Sequence, residues 1–121
     1  LVADDEPVNR EVAQFQLEEV GLVVDQACDG AEAVALAGAT NYDLILMDMQ
    51  MPKLDGLEAT RRIRKLSVYA RIPIVAMTAN VFVEDRERCL EAGMSDFLGK
   101  PFNPDMLYRV LLRGLDQASG S

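Results

Sequence analysis

Apolar runs of strand length alternate with segments of helical periodicity along the whole chain, and this alternation restricts the fold more than any other feature of the sequence. The runs are Leu1 to Ala3, Leu22 to Ala27, Leu44 to Met47, Ile72 to Met77 and the short Phe97-Leu98. Five strands are therefore expected, in an α/β fold with a parallel sheet. The middle runs are almost unbroken Val, Ile, Leu and Met, as strands covered by helices on both faces should be, while the edge candidates are more polar.

Helix signals fill the gaps between these runs. Pro7 suits a first helical turn, after which Val8, Val12 and Phe15 recur on one face and Gly21 stops the helix. Asp29 with Glu32, and Asp55 with Glu58, place a capping oxygen and a reciprocating carboxylate three residues apart, so helices two and three begin there. A fourth helix runs from near Val83 to Gly93 with a thin apolar stripe. The fifth opens at Asn103-Pro104 and buries Leu107, Val110, Leu111 and Leu115. Residues 117–121 read as a fraying tail or linker, leaving residues 1–116 as one domain. The opening Leu1-Val2-Ala3 reads as a strand already in progress, so a short piece is expected to precede it.

Composition narrows the chemistry. The chain has 121 residues, half of them apolar, enough for one core without staples. No apolar run approaches the roughly 20 residues of a membrane span, and the start lacks the order of a signal peptide; a soluble, cytoplasmic segment without membrane contact is expected. A formal charge of −8 opposes direct nucleic-acid binding, and Arg61-Arg62-Ile63-Arg64-Lys65 reads as one solvated helix face. Cys28 and Cys89 are far apart and read as reduced, packing cysteines. With no histidine in the chain, the commonest general base and the usual transition-metal ligand are missing, so carboxylates, hydroxyls and lysine must carry any chemistry.

Those residues fall at matching places. Asp4 and Asp5 follow the first strand, Asp48 the third, Thr78 the fourth and Lys100 the fifth. In a parallel sheet all of these positions lie at the carboxyl edge, where open α/β folds place their ligands. Taken singly, each has a plainer reading: an Asp after a strand is usually a cap or turn residue, Thr78 a strand-end hydroxyl on backbone, Lys100 a solvated charge. Together they describe a site. Three converging carboxylates repel one another unless a cation sits among them or some take up protons, and a hard ion such as Mg²⁺ prefers this oxygen donor set. Lys100 and Thr78 then complete a cradle for the oxygens of a phosphoryl group on a carboxylate nucleophile.

With these residues in hand, the chain resembles response-regulator receiver domains over essentially its whole length. The resemblance rests on Leu1-Val2-Ala3-Asp4-Asp5-Glu6-Pro7, on Asp43-Leu44-Ile45-Leu46-Met47-Asp48-Met49-Gln50-Met51-Pro52 with Asp55-Gly56, on Met77-Thr78-Ala79-Asn80 and on Gly99-Lys100-Pro101-Phe102. It implies a flavodoxin-like, doubly wound five-stranded parallel sheet of order 2-1-3-4-5 with five helices. It implies that Asp48 is the phosphoacceptor, that Asp5, Asp48 and the backbone carbonyl of Gln50 ligate Mg²⁺, and that Asp4 acts through a metal-bound water. Thr78 and Lys100 would bind the phosphoryl oxygens, and Thr78 and Phe97 would form the switch, Phe97 standing where a tyrosine is frequent. The implied partner is a histidine kinase or a histidine phosphotransfer domain, with helix four, strand five and helix five as a candidate dimerisation face. The stretch from Asn80 to Pro101 is most similar to receivers of hybrid sensor histidine kinases, so the chain is expected to be either a receiver cut from such a hybrid, whose parent would be membrane-anchored, or a stand-alone one. Such a domain catalyses its own phosphorylation and dephosphorylation without being a conventional enzyme.

Two competing functions are disfavoured by particular residues. A phosphohydrolase working through an aspartyl phosphate generally carries a second acid two residues after its nucleophile, where this chain has Gln50. A degenerate receiver would lack the acceptor, the acids or the lysine, and all of these are present.

Overall fold

A computed structural model describes residues 1–49, 51, 54–66, 72–78, 83–99 and 104–119, the side chains of 83–86 and 115–119 excepted. Strands and helices alternate as the sequence predicts: β1 (Val2–Ala3), α1 (Pro7–Glu19), β2 (Gln26–Ala27), α2 (Gly30–Ala39), β3 (Ile45–Asp48), α3 (Gly56–Arg64), β4 (Ile74–Thr78), α4 (Val83–Ala92), β5 (Asp96–Gly99) and α5 (Pro104–Ser119). The strands form one parallel sheet in the order β2-β1-β3-β4-β5.

Strand residues alternate between the two faces, and each face has its own core. Ala3, Ile45, Met47, Ile74 and Ala76 pack with Ala33, Ala37, Leu57, Ile63 and Cys89 from α2, α3 and α4. Val2, Leu46, Val75, Met77 and Leu98 pack on the other side with Ala13 and Leu17 of α1 and Leu107, Val110 and Leu111 of α5. This two-sided burial is what the unbroken apolar strands required.

The helix starts follow their caps. Asp29 accepts the Glu32 amide at 2.7 Å and Asp55 accepts the Glu58 amide at 2.9 Å, which satisfies one orphan donor at each end. Each cap is worth roughly 1 kcal/mol against alanine.

Four expectations need correction. The Val8, Val12 and Phe15 stripe of α1 faces outward, at 67%, 44% and 64% exposure, while Ala13 and Leu17 face the sheet. Pairing in the second strand is confined to Gln26–Ala27, with Leu22 and Val23 exposed before it. Cys28 is exposed, and only Cys89 packs in the core. Arg64 does not belong to a solvated face: half-buried, it donates from Nε to the Gly93 carbonyl at 2.8 Å and from Nη1 to the Ile72 carbonyl at 2.6 Å. It thereby ties the end of α3 to the residue that follows α4, where Gly93 supplies a φ of 109°.

Candidate functional site

Strand register brings the acids together. Ala3 pairs with Met47, so Asp4 and Asp48 come next on neighbouring strands at the carboxyl edge. Asp48 pairs in turn with Met77, and Thr78 with Gly99, so Thr78 ends the strand beside the one that carries Asp48. One carboxylate oxygen from each of Asp4, Asp5 and Asp48 lies within 4.8 Å of the others. Asp4 and Asp48 are buried, at 1% and 6% exposure, and Asp5 is exposed.

The turn after β1 is built around Asp4. Its Oδ1 accepts the Glu6 amide at 2.9 Å, closing the bend that leads into α1. Its carbonyl accepts from Arg10 Nη1 at 2.6 Å, while Arg10 Nε donates to Gln26 Oε1 at 3.2 Å and the Gln26 amide donates to Gln14 Oε1. Arg10 thus links the acidic turn, the first helix and the edge strand. Sequence reasoning did not single it out, because its partner is a main-chain carbonyl that no motif marks.

The donor set is chemically hard. Three carboxylates this close repel one another, two of them with little solvent to screen them, and an oxygen-preferring divalent cation removes the conflict. Nearby Cys28 offers no competing soft ligand: partial desolvation first, then the hydrogen bond to Glu32 and the charges of Glu32 and Asp29, push its thiol above the ordinary value. Phe97 is half-buried, pairs with Ala76 and rests on the core beneath α2, α3 and α4. Lys100 and the Gln50 carbonyl lie outside the described residues, as do Asn80 and Pro101.

Comparison with known proteins is specific. The family model for the response regulator receiver domain matches residues 1–112. The chain is 40% identical over 111 residues to the sensor histidine kinase RcsC of Salmonella typhimurium, covering 92% of this chain and 12% of that protein. It is 42% identical over 107 residues to hybrid signal transduction histidine kinase L of Dictyostelium discoideum, covering 84% of this chain and 6% of that one. The chain therefore spans only a small part of the curated relatives it matches. Among solved structures, the receiver domain of sensor histidine kinase PA1611 from Pseudomonas aeruginosa PAO1 superposes with a TM-score of 0.88 at 45% identity, covering 99% of this chain and 95% of that one. That structure holds a magnesium ion coordinated in its active-site cleft.

Proposed function

Starting from the fact that the chain belongs to the response regulator receiver domain family, we propose that Asp48 accepts a phosphoryl group from a phosphohistidine with Mg²⁺ and thereby changes the domain's partner-binding surface. The observation that carries this reading is the convergence of Asp4, Asp5 and Asp48 within 4.8 Å. Asp4, Asp5 and Asp48, with the Gln50 carbonyl, would hold Mg²⁺, which when bound supplies neutralising charge to carboxylates and phosphoryl oxygens. The remaining work falls to the chain. An Asp48 oxygen attacks phosphorus in line with the departing imidazole nitrogen; the O–P bond forms as the N–P bond breaks, and the imidazole leaves with the bonding pair. Thr78 and Lys100 are the proposed donors to the phosphoryl oxygens.

The proposed donor is a histidine kinase or a histidine phosphotransfer domain, acting on the cytoplasmic side of a hybrid parent. The exposed stripe of Val8, Val12 and Phe15 starts one turn after the acidic bend and gives such a domain an apolar bed beside the acceptor. Leu90, Met106 and Leu112, exposed on α4 and α5, support a second surface for self-association. Among the described residues no helix is long and apolar enough to cross a membrane. Residues 1–116 are the proposed receiver unit and 117–121 its lead-out, α5 carrying helix as far as Ser119.

Incubation with acetyl phosphate and Mg²⁺, followed by intact-mass and peptide analysis, tests the assignment. Wild type should gain one phosphoryl group on Asp48, and Asp48→Asn should gain none while keeping its fold. Stoichiometric labelling of that variant would sink the assignment. For output, Thr78 is expected to move toward the phosphoryl group and Phe97 to turn into the space vacated. Amide shifts induced by beryllofluoride around Phe97 and α4 should shrink strongly in Thr78→Ala, and equal shifts in both proteins would remove Thr78 from the signal.

A further inference from the structure

We infer that Gly56 and Gly30 are positioning residues for the acceptor, each acting through the backbone on which it sits. This rests on the reading of Asp48 as the phosphoacceptor. Gly56, the first residue of α3, lies flush against the end of β3: its amide donates to the Met49 carbonyl at 3.1 Å, and a β-carbon on it would stand 2.1 Å from the Asp48 carbonyl oxygen, 2.9 Å from the Asp48 carbonyl carbon and 3.0 Å from Met49 Cα. Gly30, the first residue of α2, repeats the arrangement one layer out, where a β-carbon would stand 1.9 Å from the Leu54 carbonyl oxygen and 2.9 Å from Leu54 Cβ. All but the last of these neighbours are main-chain atoms, which cannot rotate away as a side-chain tip can.

The two contacts run in series. α2 seats on Leu54, Leu54 leads through the Asp55 cap into α3, and α3 seats on Asp48 itself. Neither glycine has a positive φ, so neither is there for its backbone conformation. What each supplies is missing volume, and the volume is missing where a carboxylate must meet Asp4 and Asp5 to within a few ångströms. A displacement of about 1 Å in a reacting group is enough to slow a positioned reaction by roughly a hundredfold, and the backbone shift needed to admit either β-carbon is of that order. An Asp-Gly pair at both helix starts is the trace this leaves in the sequence.

Two other glycines separate positioning from plain destabilisation. At Gly38 a β-carbon would meet nothing within 4 Å. At Gly114 it would stand 3.1 Å from Pro73 and 3.2 Å from Leu44, packing strain at the opposite edge of the sheet. The four Gly→Ala variants of the 121-residue chain are compared by Mg²⁺ calorimetry, by acetyl-phosphate labelling rate and by thermal melting, each at a temperature equally far below its own transition. Gly56→Ala should lose about ten- to a hundredfold in labelling rate and weaken Mg²⁺ binding, with Gly30→Ala changed in the same direction by less. Gly114→Ala should melt earlier with unchanged Mg²⁺ affinity and rate, and Gly38→Ala should match wild type in both. Wild-type rate and affinity in Gly56→Ala would overturn the inference, as would equal losses in Gly56→Ala and Gly114→Ala. If Gly56→Ala does not fold, Gly30→Ala decides on the same terms. In the unmutated chain the Gly56 amide must also respond to Mg²⁺ while those of Gly38 and Gly114 stay still; a silent Gly56 counts against the contact. Failure of wild type itself to label on Asp48 would instead refute the proposed function.

Discussion

At the carboxyl edge of the sheet three carboxylates crowd within 4.8 Å, whereas at the amino edge Leu1 is buried, its backbone nitrogen donating to the Leu44 carbonyl at 3.1 Å. Beside it lies a groove of about 440 Å³ lined by Leu1, Leu17, Leu22, Val24, Tyr42 and Leu111. The amino edge is closed by apolar burial, whereas the carboxyl edge gathers like charges whose repulsion a cation relieves.

The largest effect expected from this contrast is magnesium linkage. At Mg²⁺ about a hundred times its Kd, wild type should gain about 2.7 kcal/mol in urea melts, and Asp5→Ala should lose most of that gain. A wild type indifferent to Mg²⁺ would break the comparison at its carboxyl edge.

The smallest effect sharpens the contrast. In chelator, Asp48→Asn should raise stability by about 1 kcal/mol, since one of three repelling charges is gone. Added Mg²⁺ should reverse the order of the two proteins. A variant that melts below wild type in chelator would mean that the triad is not under electrostatic strain.

The sequence was most informative where strand ends and register decide the outcome. Asp4, Asp5, Asp48 and Thr78 follow apolar runs whose parallel pairing places them at one edge, and parallel pairing follows from the alternation itself. It was least informative where a second element sets the environment. The Val8, Val12 and Phe15 stripe has the period of a buried face, yet the small Ala13 and the single Leu17 are what α1 sets against the sheet. Arg64 reads as one more surface charge until the carbonyls of Ile72 and Gly93 are known to converge on it. Gly30 and Gly56 read as helix starts, and their neighbours Leu54 and Asp48 are distant along the chain or across a turn. Lys100 and Gln50, outside the described residues, carry only what the sequence says of them.

The Arg64 clasp has a mechanical corollary. By gripping the Gly93 carbonyl it holds the carboxyl end of α4, so that any tilt of this helix would pivot about that end. Ten residues give an arm of about 15 Å at 1.5 Å per residue, so a tilt of about 10° carries the Val83 end through about 2.5 Å. A small rotation at a held pivot would therefore become a displacement longer than a carbon–carbon bond at the end that follows β4.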